Sequence, residues 1–128
     1  STEKTRIAVK WSKIKAGRNR SYKACYGPPL FLQMSGSGLV APCGSFFNEK
    51  YSKYHIGNIA KQRFMDIWKS DRYWQVMNML REESFDARSQ CACLCLQHLC
   101  NEYLDKIVKG ESEILEAKAE KPLGVNFV

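Results

Sequence analysis

Apolar residues recur at helical spacing in the second half of the chain. A short helix is predicted where three of them lie three and four positions apart: Phe64, Ile67 and Trp68. Ser70 can cap a second helix, whose inward face is formed by four apolar residues: Tyr73, Val76, Met77 and Leu80. A third helix is predicted from about Leu96 to Val108, and Gly110 is expected to end it.

The first half of the chain predicts a β-hairpin. Residues 30–34 and 39–41 are short apolar runs, and Ser35-Gly36-Ser37-Gly38 between them is typical of a hairpin turn. Both glycines are expected to take positive φ. Residues 44–58 predict a loop that ends in a turn, with Asn58 capping the helix that follows. The fold class is therefore α+β: a small two-stranded β-hairpin surrounded by several short helices.

The composition is that of one globular domain. The chain has 128 residues, 45% hydrophobic and 26% charged, and no apolar run approaches the ~20 residues of a membrane span. Without a signal-like start, a cytoplasmic location and no membrane partner are expected. We divide the chain into a lead-in (1–24), a body (25–109) and a tail (110–128) with a helix over 111–121.

The net charge of +7 belongs to the lead-in. Residues 1–24 carry eight Lys or Arg and one Glu, whereas the rest of the chain is neutral. Such a segment can contact an acidic partner such as nucleic acid, or can be a solvated linker. We favour the linker, because no aromatic residues are clearly interleaved with the charges.

Six cysteines carry the candidate chemistry. They form two groups, Cys25 with Cys43, and then four within ten residues: Cys91, Cys93, Cys95 and Cys100. Thiolates suit zinc, iron or an iron–sulfur cluster. Two alternatives fit less well. Buried free thiols would be more scattered along the sequence, and a disulfide framework is typical of secreted proteins, whereas this sequence shows no sign of secretion. The Cys-x17-Cys pair is too wide for a zinc knuckle, so the spacing favours iron–sulfur.

Several motifs together resemble the SPASM/twitch domains of radical S-adenosylmethionine enzymes. The opening Cys25-x12-Gly38-x4-Cys43 has Pro42 before its second Cys. A Gly57-Asn58 turn, a Phe-x2-Ile-Trp-x-Ser helix at 64–70 and a Cys-rich segment entering a helix follow in the family's order. The resemblance covers roughly residues 20–106.

This resemblance implies an auxiliary [4Fe–4S] cluster. In the family, the domain follows a partial TIM barrel whose own cluster cleaves S-adenosylmethionine through a Cys-x3-Cys-x2-Cys motif. This sequence has Cys91-x3-Cys95, but position 98 is His. We therefore expect a domain separated from its barrel and not catalytic by itself. Its partners would be that barrel and the parent enzyme's peptide or small-molecule substrate, with S-adenosylmethionine bound only by the barrel and nucleic acid not expected.

The resemblance also implies one cluster, because the Cys-x-Cys-x-Cys-x4-Cys run departs from the two-cluster pattern. Cys25 and Cys43 are the first two ligands. We favour Cys91 and Cys95 as the others, since alternate residues in an extended turn, or i and i+4 on a helix, point the same way. The competitors are Cys93 and Cys100, the latter inside the predicted helix. His98 can act behind the ligands by donating to a cluster sulfur, can ligate a metal itself, or can be a structural histidine.

Three functions remain open from the sequence. The first is the auxiliary-cluster domain, contributing electron transfer, substrate positioning or structure. The alternative is a structural zinc module that binds nucleic acid or a protein. A thiol redox protein is the third, and the lack of a Cys-x2-Cys motif counts against it.

Overall fold

The computed structural model confirms the α+β class. It describes the following residues: 4, 5, 7–9, 11, 19–92 and 94–116. Three short strands form one sheet: β1 (Gln33–Met34), β2 (Leu39–Ala41) and β3 (Gly57–Asn58). Four α-helices follow: α1 (Phe64–Trp68), α2 (Asp71–Met79), α3 (Ala87–Gln90) and α4 (His98–Val108).

The sheet is antiparallel with the order β1-β2-β3, so the prediction of a two-stranded hairpin was one strand short. Gln33 pairs with Ala41, and Val40 pairs with Gly57 on its other side. The third strand is two residues long and half glycine, which left no alternating pattern to detect. β1 is also shorter than the predicted 30–34, because residues 30 and 31 bond back to Gly27 in a turn.

The hairpin turn needs only one glycine of left-handed conformation. Gly38 has φ +83°, and a Cβ there would lie 2.7 Å from Asn58 Oδ1. Positive φ at Gly36 was a wrong prediction, and a Cβ at that position would meet nothing within 4 Å. Asn58 does not cap α1 either. Its side chain accepts from Ala60 N at 2.9 Å and donates to Ser37 O at 3.2 Å, which ties β3 to the hairpin turn.

The inward face predicted for α2 is confirmed, whereas in α1 only Ile67 is buried and Trp68 is 41% exposed. The Ser70 side chain accepts from Tyr73 N at the start of α2. The four residues expected to face inward are buried: Tyr73, Val76, Met77 and Leu80. α4 ends as predicted, with Gly110 at φ +73°. Residues 111–116 are not helical, which corrects the first half of the predicted tail helix, and its remaining residues lie outside the described part of the chain.

Residues 44–54, predicted as a loop, form two 3₁₀ helices, Gly44–Phe46 and Glu49–Tyr54. They bury Phe46 and Tyr54, whose ring centroids lie 4.6 Å apart, and both rings approach Phe85. We call this group, with the sheet and the inward faces of α1 and α2, the apolar core. The hydrophobic period of residues 44–54 is neither 2 nor 3.6, so the sequence pattern did not reveal these short helices.

The end of the lead-in packs against the body. Arg20 and Tyr22 are both buried, and Lys23 O accepts from Ala87 N at the start of α3 at 2.8 Å. Within the described residues, no helix is long and apolar enough to cross a membrane.

Candidate metal centre

Four cysteine thiols line a single cavity of about 290 Å³: Cys25, Cys43, Cys91 and Cys95. They are the four favoured as ligands from the sequence. We call this space the cysteine cavity. Each of its cysteines lies outside the helices and strands, so its side chain is not committed to the packing of a helix face. Cys43 precedes the first 3₁₀ helix, Cys91 ends α3, and Cys95 comes three residues before α4.

The remaining two cysteines differ in position. Cys100 lies in the first turn of α4 and does not line the cavity. Cys93 lies outside the described residues, so the structure says nothing of its side chain. Cys100 is thus separated from the four favoured thiols, whereas the role of Cys93 as a ligand stays open.

The four thiols line one cavity but are not gathered around a single point. In the described part of the chain, no three His, Cys, Asp or Glu side chains are grouped closely enough to hold one metal ion. Around a single zinc, tetrahedral thiolates would be only roughly 3.8 Å apart, given a Zn–S bond of about 2.3 Å. A cluster of several iron and sulfide atoms is held by cysteine thiolates around a larger space, and the four cysteines that line this cavity are donors of that kind.

Asn101 holds the loop that carries Cys25. Its Oδ1 accepts from the backbone N–H groups of Tyr26 and Gly27 at 2.7 and 2.8 Å, and its Nδ2 donates to Cys25 Sγ at 3.3 Å. The side chain is buried, so these bonds are shielded from water. Asn101 therefore fixes both the backbone beside the first thiol and the sulfur itself.

Gln97, four residues before Asn101, contacts both stretches of chain that carry Cys25 and Cys43. Its Nε2 donates to Phe31 O at 3.2 Å and to Pro42 O at 3.1 Å, next to Cys43. Its Oε1 lies 3.6 Å from Cys25 Sγ and can accept the thiol proton. A Cβ on Gly27 would lie 2.7 Å from that same oxygen, so any larger residue there would displace the Gln97 amide.

His98 reaches the cavity only through Tyr22. The Tyr22 hydroxyl lies 2.9 Å from His98 Nδ1, and His98 Nε2 lies 3.5 Å from Glu102 Oε1. Tyr22 lines the cysteine cavity, whereas His98 does not. Both ring nitrogens thus face protein groups, as in a structural histidine, and the position behind the ligands is occupied by Tyr22.

Burial sets the acidity of the thiols. It raises the pKa of Cys25 to about 12, against the opposing hydrogen bond from Asn101, and the pKa of Cys91 to about 11. The pKa of Cys43 is raised by the same cause. These thiols are therefore protonated in the metal-free protein at neutral pH, and binding of a thiolate-ligated group must release their protons.

Comparison with protein-family models matches residues 25–101 to SPASM, an iron–sulfur cluster-binding domain. The match covers more than half of the chain and contains every cysteine. The chain belongs to the SPASM family. No curated protein and no solved structure matches it. As a SPASM domain the chain binds an iron–sulfur cluster, and the thiol-lined cavity provides sulfur donors suited to one.

Sequence reasoning missed four polar residues at the cavity: Arg20, Tyr22, Gln97 and Asn101. The i, i+4 spacing of Gln97 and Asn101 beside the cysteines was a usable signal, since it puts two amides on one side of a helix start. Arg20 and Tyr22 gave no such signal. They lie in a segment whose charge pattern is typical of a solvated linker, and only the fold brings them to the cavity.

Proposed function

We propose that this SPASM domain holds an auxiliary [4Fe–4S] cluster and serves a radical S-adenosylmethionine enzyme. The observation that carries the proposal is the cysteine cavity, where thiols from three separate stretches of chain converge while Cys100 stays outside. The ligands would be Cys25, Cys43, Cys91 and Cys95. When bound, such a cluster supplies one-electron redox chemistry at a potential set by hydrogen bonds and exposure.

Four protein thiolates favour electron transfer or structural support over substrate binding. With every iron ligated by a cysteine, no iron coordination position is left open for a substrate. The chain's own groups fit this role. Asn101 and Gln97 hold Cys25 in place, and the Asn101 amide donates to its sulfur. Hydrogen bonds to ligand sulfur orient the ligand and tune the metal.

The catalytic cluster would belong to a radical S-adenosylmethionine barrel outside these 128 residues. The sequence contains no Cys-x3-Cys-x2-Cys motif, because His98 occupies the third position after Cys91 and Cys95. We therefore place S-adenosylmethionine binding, the radical reaction and the peptide or small-molecule substrate with that barrel. The resemblance of residues 20–106 to the auxiliary domains supports this assignment.

Metal analysis of protein purified without oxygen tests the proposal. About four iron and four sulfide per chain after anaerobic reconstitution, with a broad absorption band near ~400 nm, are expected of a [4Fe–4S] protein. One tightly held zinc, with no iron taken up on reconstitution, would overturn the proposal in favour of a zinc module.

A second assay tests the assignment of catalysis to a barrel. The reconstituted chain, reduced with dithionite and incubated with S-adenosylmethionine, is expected to give no cleavage products by chromatography. The control is a barrel-containing radical S-adenosylmethionine enzyme under the same conditions. Turnover by this chain alone would show that the catalytic cluster does not need a separate barrel.

A further inference from the structure

Arg20 is a buried cation at the wall of the cysteine cavity. Only 6% of its surface is exposed, and it lines the cavity together with the four thiols. It lies five residues before the SPASM match begins, so the family pattern assigns it no role. Burying a charged guanidinium is costly unless its charge is balanced, and this one lines the same cavity as four candidate ligands.

The protein satisfies the Arg20 guanidinium only in part. Nη1 donates to Ala87 O at 3.0 Å and Nη2 donates to Ala92 O, so the side chain clamps the loop on both sides of Cys91. Nε is buried and finds no hydrogen-bond partner among the described residues. The Nε–H is therefore left for a group that the described residues do not supply.

Its positive charge is also uncompensated by carboxylates. The ion pairs of the described residues join other side chains, and none of the described residues that line the cavity is Asp or Glu. Burying an unpaired charge is costly unless a counter-charge binds beside it. Ionised thiolates around a cluster carry net negative charge, and the four cysteines line the same cavity as Arg20.

We propose that Arg20 is the counter-charge of the cluster and raises its reduction potential. The inference rests on the proposed cluster at the four thiols. Reduction adds one electron, taken from the external reductant, and so one negative charge. A fixed positive charge in a poorly solvated site favours that more negative form. Arg20 is thus a tuning residue rather than a ligand.

Two substitutions separate charge from clamping. Arg20→Gln removes the charge but keeps N–H donors for the loop carbonyls, whereas Arg20→Lys keeps the charge and loses the planar fork. Arg63→Gln is the matched control, because Arg63 is exposed and does not line the cavity. An exposed charge of that kind is screened by solvent and salt.

The measurement is a dye-mediated dithionite titration of the reconstituted proteins, followed by electron paramagnetic resonance, with iron and sulfide determined in parallel. At the wild-type midpoint, Arg20→Gln is expected to lower the ratio of reduced to oxidised cluster at least tenfold, which is 59 mV for one electron. Arg20→Lys and Arg63→Gln are expected to stay within threefold of wild type.

A fully loaded Arg20→Gln protein with the wild-type ratio would overturn the proposal. So would equal loss of iron from the Gln and Lys variants with an unchanged ratio in the clusters that remain, because that result makes Arg20 only a clamp. If Arg20→Gln holds no cluster, wild-type loading of Arg20→Lys supports the counter-charge, and loss in both variants overturns it. Absence of iron from the wild-type protein would instead refute the proposed function itself.

Discussion

The apolar core and the cysteine cavity are built from different interactions. In the core, buried side chains at helical spacing pack against a small sheet and a group of aromatic rings. In the cavity, polar side chains bond to backbone and sulfur atoms 55 to 76 residues away along the chain. The core depends on local periodicity, whereas the cavity depends on the whole chain being folded.

This difference assigns stability and function to separate regions. Burial of apolar surface stabilises the core with or without a cofactor. The cavity carries half-buried thiols with two buried amides and a buried guanidinium, which are costly groups to desolvate unless each is bonded. Substitutions in the core are therefore expected to change the free energy of unfolding, and substitutions in the cavity to change cluster retention as well.

The largest effect is expected from Leu80→Ala. Leu80 is a fully buried residue of the apolar core. Its carbonyl accepts from the backbone N–H of Cys25, which lines the cysteine cavity, at 2.9 Å. Truncation leaves a cavity and is expected to lower the free energy of unfolding of the metal-free protein by about 2–5 kcal/mol in urea titrations. Leu99→Ala is the control, since Leu99 is 76% exposed, and equal losses would contradict this core.

Asn101→Ala is expected to affect both properties. It removes the acceptor for two backbone N–H groups, one of them buried, and is expected to lower the free energy of unfolding by about 1–3 kcal/mol. The same variant is expected to lose iron faster to a chelator, because Cys25 loses its amide donor. The control is Asn78→Ala, at an exposed position in α2, which should change neither property. Normal iron retention in Asn101→Ala would contradict the role given to Asn101.

Gly38→Ala is expected to have a smaller effect. Positive φ is unfavourable for alanine, and the new Cβ would press on Asn58, so a loss of about 1–2 kcal/mol in unfolding free energy is expected. Gly36→Ala lies two residues away in open space and is expected to be neutral or slightly stabilising. Thermal or urea unfolding of the two proteins makes the comparison, and the account of the turn fails if Gly36→Ala is the more damaging change.

The smallest effect is expected at the exposed Asp86–Arg88 pair, which begins α3 beside the cavity. Hydrogen bonds from Arg88 lower the pKa of Asp86 to about 2, below its unfolded value. The resulting stabilisation is present above pH ~4 and is lost as the pH falls towards 2. The difference in melting temperature between wild type and Asp86→Asn is therefore expected to shrink over that interval. A difference that grows on acidification would contradict the assignment.

Sequence reasoning succeeded where the determinants were local. Spacing alone located α2 and its buried face, and Ser70 marked its first turn. It failed at β3, at the 3₁₀ helices and at Gly36, because these depend on pairing or backbone geometry that two or three residues do not encode. At the cavity, the cysteines were visible as a cluster in sequence, but Arg20 and Tyr22 were not, because only tertiary structure brings them there.

The most direct test of the central claim is the iron content of single cysteine variants, each reconstituted without oxygen. Cys25→Ala, Cys43→Ala, Cys91→Ala and Cys95→Ala are each expected to lose the cluster. Cys100→Ala and Cys93→Ala are expected to keep about four iron per chain, as a [4Fe–4S] cluster requires. Equal loss in Cys100→Ala, or loss in Cys93→Ala with full retention in Cys95→Ala, would contradict the ligand set drawn from the cysteine cavity.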